Sequence, residues 1–305
     1  MTVMKRNAIY MIMVSLLAVL LGSCRMDVPV DGDGIATLVL TATVNDCMDS
    51  DTKASGDGSL ANLNGDYRLR CFMEIWSADG KTLEYSAPVQ YFEFKEGEIT
   101  GDIKYEISLI ARKYRMVMWA DIVKEESTEQ YTGGYTINGN LSSIGIPEGA
   151  AFGSEEYDAF TGTGEIDLIA GSKVTGLTLK RPLAKVRVID NKTGNSADQN
   201  GKYTASLAFG TDGINIPKSY NAVTGSITGY HESKLIETPP FHSVYEEGVG
   251  LCLYSGYVLV PAEEDDFNFN IVVKNEDNSE VADVQVSRIP LKQNTLTTVK
   301  GTVIR

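Results

Sequence analysis

Apolar and polar residues alternate with a period of two along most of this chain, and helical periodicity is almost absent. The segment Ile35–Val44 (IATLVLTATV) is rich in β-branched residues and puts Leu38, Leu40, Ala42 and Val44 on one face. Tyr67–Trp76 sets Leu69, Cys71, Met73 and Ile75 against Arg68, Arg70 and Glu74. Lys104–Leu109 and Tyr114–Ala120 alternate in the same way. In the second of these, Trp119 falls opposite Met116, Met118 and Ala120, where it packs under a loop or marks a contact surface. Further strands are predicted at Val89–Phe94, Val174–Lys180, Ala184–Ile189, Tyr203–Phe209, Gly250–Val260, Phe267–Lys274, Val281–Ile289 and Thr297–Ile304. Asp79-Gly80, Glu96-Gly97, Asn138-Gly139 and Asp212-Gly213 supply turn chemistry between them. Many short strands without interleaved helices predict an all-β fold of antiparallel sandwiches.

Lys180-Arg181-Pro182 separates two strand-rich stretches, 28–180 and 181–305, and each has the size of one seven- or eight-stranded sandwich. No repeat recurs at a fixed period, which disfavours a solenoid or propeller. Asp46–Gly65 is rich in Asp, Ser and Gly and reads as an exposed loop.

The N-terminus has a different pattern. Lys5 and Arg6 precede a fourteen-residue apolar run, Ala8 to Leu21. A spanning helix needs roughly 20 apolar residues, so residues 1–23 are expected to be a secretory signal peptide. The run closes on Leu21-Gly22-Ser23-Cys24, which resembles the bacterial lipobox, whose Cys is lipidated and becomes the new N-terminus.

Charge sharpens that address. The 305 residues include 27 Lys or Arg, 41 Asp or Glu and two His, a formal charge of −14. Removing residues 1–23 takes away two bases and no acid, giving −16. Such a chain lacks the basic face that nucleic acid requires, and it has no electrostatic reason to adhere to anionic headgroups. The membrane partner is therefore reached through lipid on Cys24, where each buried methylene contributes about 0.8 kcal/mol.

Catalytic chemistry is thinly signalled. His231 and His242 are too few for a three-His metal site and do not form HExxH. Neither GxxxxGK[ST] nor GxGxxG is present, so no cofactor, metal or enzymatic activity is expected. Cys47, Cys71 and Cys252 contain no CxxC and allow at most one disulfide; Cys71 and Cys252 read as buried, inert thiols. Glu263-Glu264-Asp265-Asp266 and the group Glu155, Glu156 and Asp158 fit solvated turns better than a carboxylate pair for glycoside hydrolysis or a calcium site. Tyr91, Phe92, Phe94, Tyr254 and Tyr257 fit a sheet core better than a sugar-stacking platform.

Three stretches carry a family resemblance: Met118-Trp119-Ala120-Asp121; Leu179-Lys180-Arg181-Pro182-Leu183-Ala184-Lys185-Val186; and Ile289-Pro290-Leu291-Lys292-Gln293-Asn294-Thr295 with Val299-Lys300-Gly301. Together with the lipobox they make the chain similar to the fimbrillin-type lipoproteins of the Bacteroidota, subunits and accessories of type V pili. The resemblance implies two tandem transthyretin-like sandwiches, delivery to the outer membrane or the fimbrium, and other fimbrial subunits as partners through strand exchange. In polymerising members a protease cut after a basic residue removes the first strand, and a terminal strand of another subunit fills the groove. Carried onto this chain, the removable strand presents Leu38, Leu40, Ala42 and Val44, and the cut falls after Lys53, where those members have Arg. The donor strand presents Thr297, Val299, Gly301 and Val303. Adhesion to a host or bacterial surface ligand is compatible with this assignment. The alternative is a non-polymerising outer-membrane lipoprotein that binds glycan or protein, with Trp119, Tyr254 and Tyr257 as its aromatic contacts.

Overall fold

The computed structural model describes residues 34–304 except 47–48, 51–62, 64, 96–97, 128–129, 147–156, 169–171, 193, 195, 210–216, 232–235 and 263–264. The signal segment, Cys24, Cys47, Lys53, Glu155, Glu156, Glu263 and Glu264 lie outside the described residues. The strands in chain order begin with β1 (Ile35–Val44), β2 (Asp49–Ser50), β3 (Tyr67–Ser77), β4 (Leu83–Ser86), β5 (Gln90–Lys95), β6 (Glu98–Ile99), β7 (Ile103–Ile110) and β8 (Lys113–Ser127). They continue with β9 (Gln130–Gly133), β10 (Thr136–Ile137), β11 (Ile144–Gly145), β12 (Ala159–Asp167), β13 (Ser172–Leu179), β14 (Leu183–Asp190), β15 (Tyr203–Phe209) and β16 (Pro217–Asn221). The last are β17 (Ser226–Tyr230), β18 (Ile236–Glu237), β19 (Phe241–His242), β20 (Val244–Glu246), β21 (Gly250–Leu259), β22 (Asp265–Asn275), β23 (Glu280–Leu291) and β24 (Thr295–Gly301). The fold is all-β, as the period-two pattern predicts. Among the described residues no helix is long and apolar enough to cross a membrane.

Two sheets enclose a first core. A three-stranded sheet, β13-β1-β7, faces a seven-stranded one ordered β12-β8-β3-β5-β6, with β4 and β9 attached to β3 and β8. Leu38 and Leu40 of β1, Tyr105 and Ile107 of β7, Leu69 and Met73 of β3, and Met116 and Met118 of β8 meet between them. A second core lies between the sheets β2-β24-β14-β21-β20 and β18-β15-β22-β23, with β19 attached to β15. A small fifth sheet, β10-β11-β16-β17, draws strands from both sides of residue 180.

Most pairings are antiparallel, but β1 with β13, β14 with β24 and β2 with β24 are parallel. Parallel neighbours need a crossover connection, commonly helical. Here strands of the facing sheet lie within the connection, so parallel pairs form with no α-helix between them among the described residues.

Trp119 settles how the two cores relate. Along β8 the residues Met116, Met118, Ala120 and Ile122 enter the first core, while Val117 and Trp119 point the other way into the second. The centre of the seven-stranded sheet is therefore buried on both faces. Trp119 packs against Tyr135 at 5.2 Å, edge to face, and Tyr220 at 5.9 Å. It is neither under a loop alone nor on a free surface.

β12 (AFTGTGEID) escapes the hydrophobic pattern because Gly and Thr replace large apolar residues. Gly162 explains part of this: a Cβ there would lie 2.8 Å from Leu179 Cδ2 and 2.9 Å from the Thr178 carbonyl oxygen. Close approach of the neighbouring backbone requires glycine.

Candidate functional site

β1 occupies the middle of its sheet. Eight residues, Thr37–Val44, pair in parallel with β13, and eight, Ile35–Ala42, pair antiparallel with β7. The ends are fixed as well, since Ala111 N donates to Gly34 O at 2.7 Å and Asn45 N to Leu179 O at 2.9 Å. Ala36, Leu38, Leu40 and Ala42 are buried in the core, and Val44 is half-buried against it. Without β1 the first core would show a slot with apolar walls and a row of unpaired backbone groups along each side.

The chain leaving β1 runs directly into a buried polar cluster. Arg181 is fully buried; its Nε lies 2.9 Å from each carboxylate oxygen of Asp158, which is itself inaccessible. Its Nη1 donates to the Asp46 carbonyl at 2.9 Å, and its Nη2 pairs with the Asp46 carboxylate. The guanidinium also sits 4.6 Å from the Phe160 ring centroid and 5.9 Å from that of Tyr257. Burial opposes the charge, yet the carboxylates of Asp158 and Asp46 hold the Arg181 pKa above its ordinary value.

A second pair lies in the seven-stranded sheet. Arg70 grips buried Asp121 through Nε at 2.9 Å and Nη2 at 2.5 Å, and donates to the Tyr135 carbonyl at 3.1 Å. Burial raises the Asp121 pKa against the pull of Arg70. Glu74 differs in accepting only from neutral groups: Trp76 Nε1 at 2.9 Å and the Leu141 amide at 3.1–3.2 Å. Burial raises its pKa, and those two donors offset the rise in part.

Two of the three resemblance motifs thus meet at the contact between the two cores. Trp119 and Asp121 come from the first motif, Arg181 and Lys185 from the second. Lys185 Nζ lies 5.2 Å from the Tyr257 ring centroid. Asp46 and Asp158 complete the cluster, and the pattern of residues alone reads both as turn or loop acids. Asp158 is corrected from a solvated turn to a fully buried ion-pair partner, because it faces Arg181 across the sequence.

The terminal segment is engaged within its own chain. Thr297, Val299 and Gly301 lie in β24, paired in parallel with β14, and only β2 adjoins the opposite edge among the described residues. Val303 lies beyond the strand, which ends at Gly301 and not at the predicted Ile304. Val303 N donates to buried Asp190 Oδ1 at 2.7 Å, and Val303 and Ile304 enter the second core.

The aromatic contacts invoked for glycan binding are displaced. Trp119, Tyr254 and Tyr257 are all interior, so they cannot form a sugar platform; Tyr91 on β5 is the exposed ring of the group considered. Cys71 and Cys252 are buried free thiols whose pKa values burial pushes up, which leaves them protonated and unreactive at neutral pH. Among the described residues no group of three His, Cys, Asp or Glu could hold a metal ion.

Residues 31–304 match the sequence profile of a family described as a family of unknown function, DUF6562. No curated protein matches the chain. Solved structures similar to it include a candidate adhesin from Bacteroides ovatus, 10% identical, with 87% of this chain and 88% of that one covered and a TM-score of 0.45. A fimbrial assembly protein from Parabacteroides distasonis is 14% identical over 88% and 90%, with a TM-score of 0.36. A fimbrial anchor protein from Porphyromonas gingivalis is 10% identical over 82% of each chain, with a TM-score of 0.39.

Proposed function

The chain belongs to the DUF6562 family, and on that footing we propose that it is a lipid-anchored fimbrial subunit or accessory at the cell surface, assembling by β-strand addition. The observation that carries this reading is the position of β1. It is bonded on both sides, its inner residues fill the first core, and it is the first strand described. Its loss would leave one slot of strand shape, and an extended segment from another subunit could restore both hydrogen-bonded ladders together with the buried side chains. The lipobox supplies the other half of the reading. Lipid on Cys24 would hold the strand at the outer membrane until a cut after Lys53 separates it from the body of the protein.

The two acts leave different mature N-termini, so mass spectrometry of the cell-associated and fimbrial fractions tests them directly. Acyl chains on Cys24 are expected in the anchored form, and a new start after Lys53 in the assembled form. An unlipidated Cys24 would remove the anchor. Cut, lipid-free protein that neither binds other subunits nor takes up a strand would remove strand addition.

A further inference from the structure

The slot between β7 and β13 has a shape that selects its occupant, and this inference rests on the strand-addition reading of that slot. The strand now in it points Ala36, Leu38, Leu40 and Ala42 inward, none more than 8% exposed, and Val44 follows on the same face, half-buried at the end of the strand. Over its four fully buried positions the space is therefore deep at two adjacent sites and narrow on either side of them. Alternate residues of a strand share a face, and a close-packed interior leaves little freedom in what fills each position.

The chain's own terminal segment does not carry that pattern. One face of 295–304 reads Thr295, Thr297, Val299, Gly301, Val303; the other reads Leu296, Thr298, Lys300, Thr302, Ile304. In either strand direction, neither face offers two large apolar side chains at neighbouring inward positions. Every four-residue register of the second face buries the Lys300 ammonium. The best register of the first puts Thr297 and Val299 at the two leucine sites, which buries a hydroxyl among apolar groups and leaves volume unfilled at both. The segment is also committed elsewhere, with Val303 and Ile304 buried in the second core, Leu296 buried as well, and Val303 N bonded to Asp190.

We propose that the slot is matched to a different chain, through an extended segment whose inward residues run small, large, large, small. The protein then joins a heterologous subunit and does not polymerise with copies of itself.

The test uses the full chain with a site-specific protease sequence placed at Lys53, cut, and refolded from urea with a large excess of fluorescent peptide. Three peptides are compared: Ile35–Val44, the native Thr295–Arg305, and Thr295–Arg305 carrying Thr295→Ala, Thr297→Leu and Val299→Leu. Fluorescence anisotropy should place the first and third in the slot, with the native terminal peptide at least about 100-fold weaker. Equal binding of the native terminal peptide, concentration-dependent homo-oligomers of the cut chain, or failure of the third peptide where the first binds would overturn the selectivity and leave strand addition standing. If the Ile35–Val44 peptide itself does not enter, strand addition falls and the selectivity with it.

Discussion

Arg181 shows how much of this fold depends on single buried charges. Its guanidinium is held by Asp158 and Asp46 and lies against Phe160, so removing it alone strands a carboxylate in the interior. Arg181→Leu is expected to cost about 3–5 kcal/mol, while Arg181→Leu with Asp158→Leu should recover much of the loss, because the fully buried acid goes with its partner and the Asp46 carboxylate that stays is partly exposed. Urea denaturation of both variants decides the matter; a double variant as unstable as the single one would show that the ion pair itself, not the orphaned acid, is what counts. Glu74 makes a pH-dependent counterpart. Its folded pKa stands above the ordinary 4.5, raised by burial against the Leu141 amide and the Trp76 indole, so the fold favours the protonated acid. Its contribution is full below the unfolded pKa and is lost as pH rises through the folded one. Glu74→Gln should therefore gain stability relative to wild type as pH rises from about 4 to about 8, and a difference independent of pH would contradict this.

At the scale of the element, β1 combines two properties that rarely go together. It is the first strand described, a place where chains often fray, yet it is central in its sheet and its inner face is buried. In the uncut protein its amides should exchange with solvent as slowly as those of β3 and β8, which hydrogen-exchange mass spectrometry can resolve; exchange at the rate of an edge strand would refute the pairing. Leu38→Ala or Leu40→Ala should each cost about 2.7–5 kcal/mol, through lost burial and the cavity left behind. β12 is the opposite case: Gly162 is demanded by the close approach of Leu179 and Thr178, and Gly162→Val should displace β13 and lower the melting temperature.

The whole molecule is two cores joined through one sheet. The second core continues past its own sheets to Val117 and Trp119, on the outer face of the sheet that closes the first. Heating should therefore give one cooperative transition, and Trp119→Ala, which empties the shared contact, should cost about 3–5 kcal/mol and separate it into two. Calorimetry that finds two independent transitions in the wild-type protein would deny the coupling. Much of this architecture was legible in the chain. The strand of Ile35–Val44 and that of Tyr203–Phe209 are found within their predicted limits, and the buried face of β1 follows from alternation, because a half-buried strand writes its burial into every second residue. Strands with both sides buried do not write it so clearly. In β14 (LAKVRVID) Lys185 and Arg187 alternate with Ala184, Val186 and Val188, yet all eight residues are buried. The burial of Asp158 and Asp121, the parallel pairing of β1 with β13, and the interior position of Trp119 were likewise decided by tertiary structure. Periodicity records which side of a strand is apolar, a property of neighbours along the chain; what covers the other side, and which acid meets which base there, depends on segments tens to more than a hundred residues away.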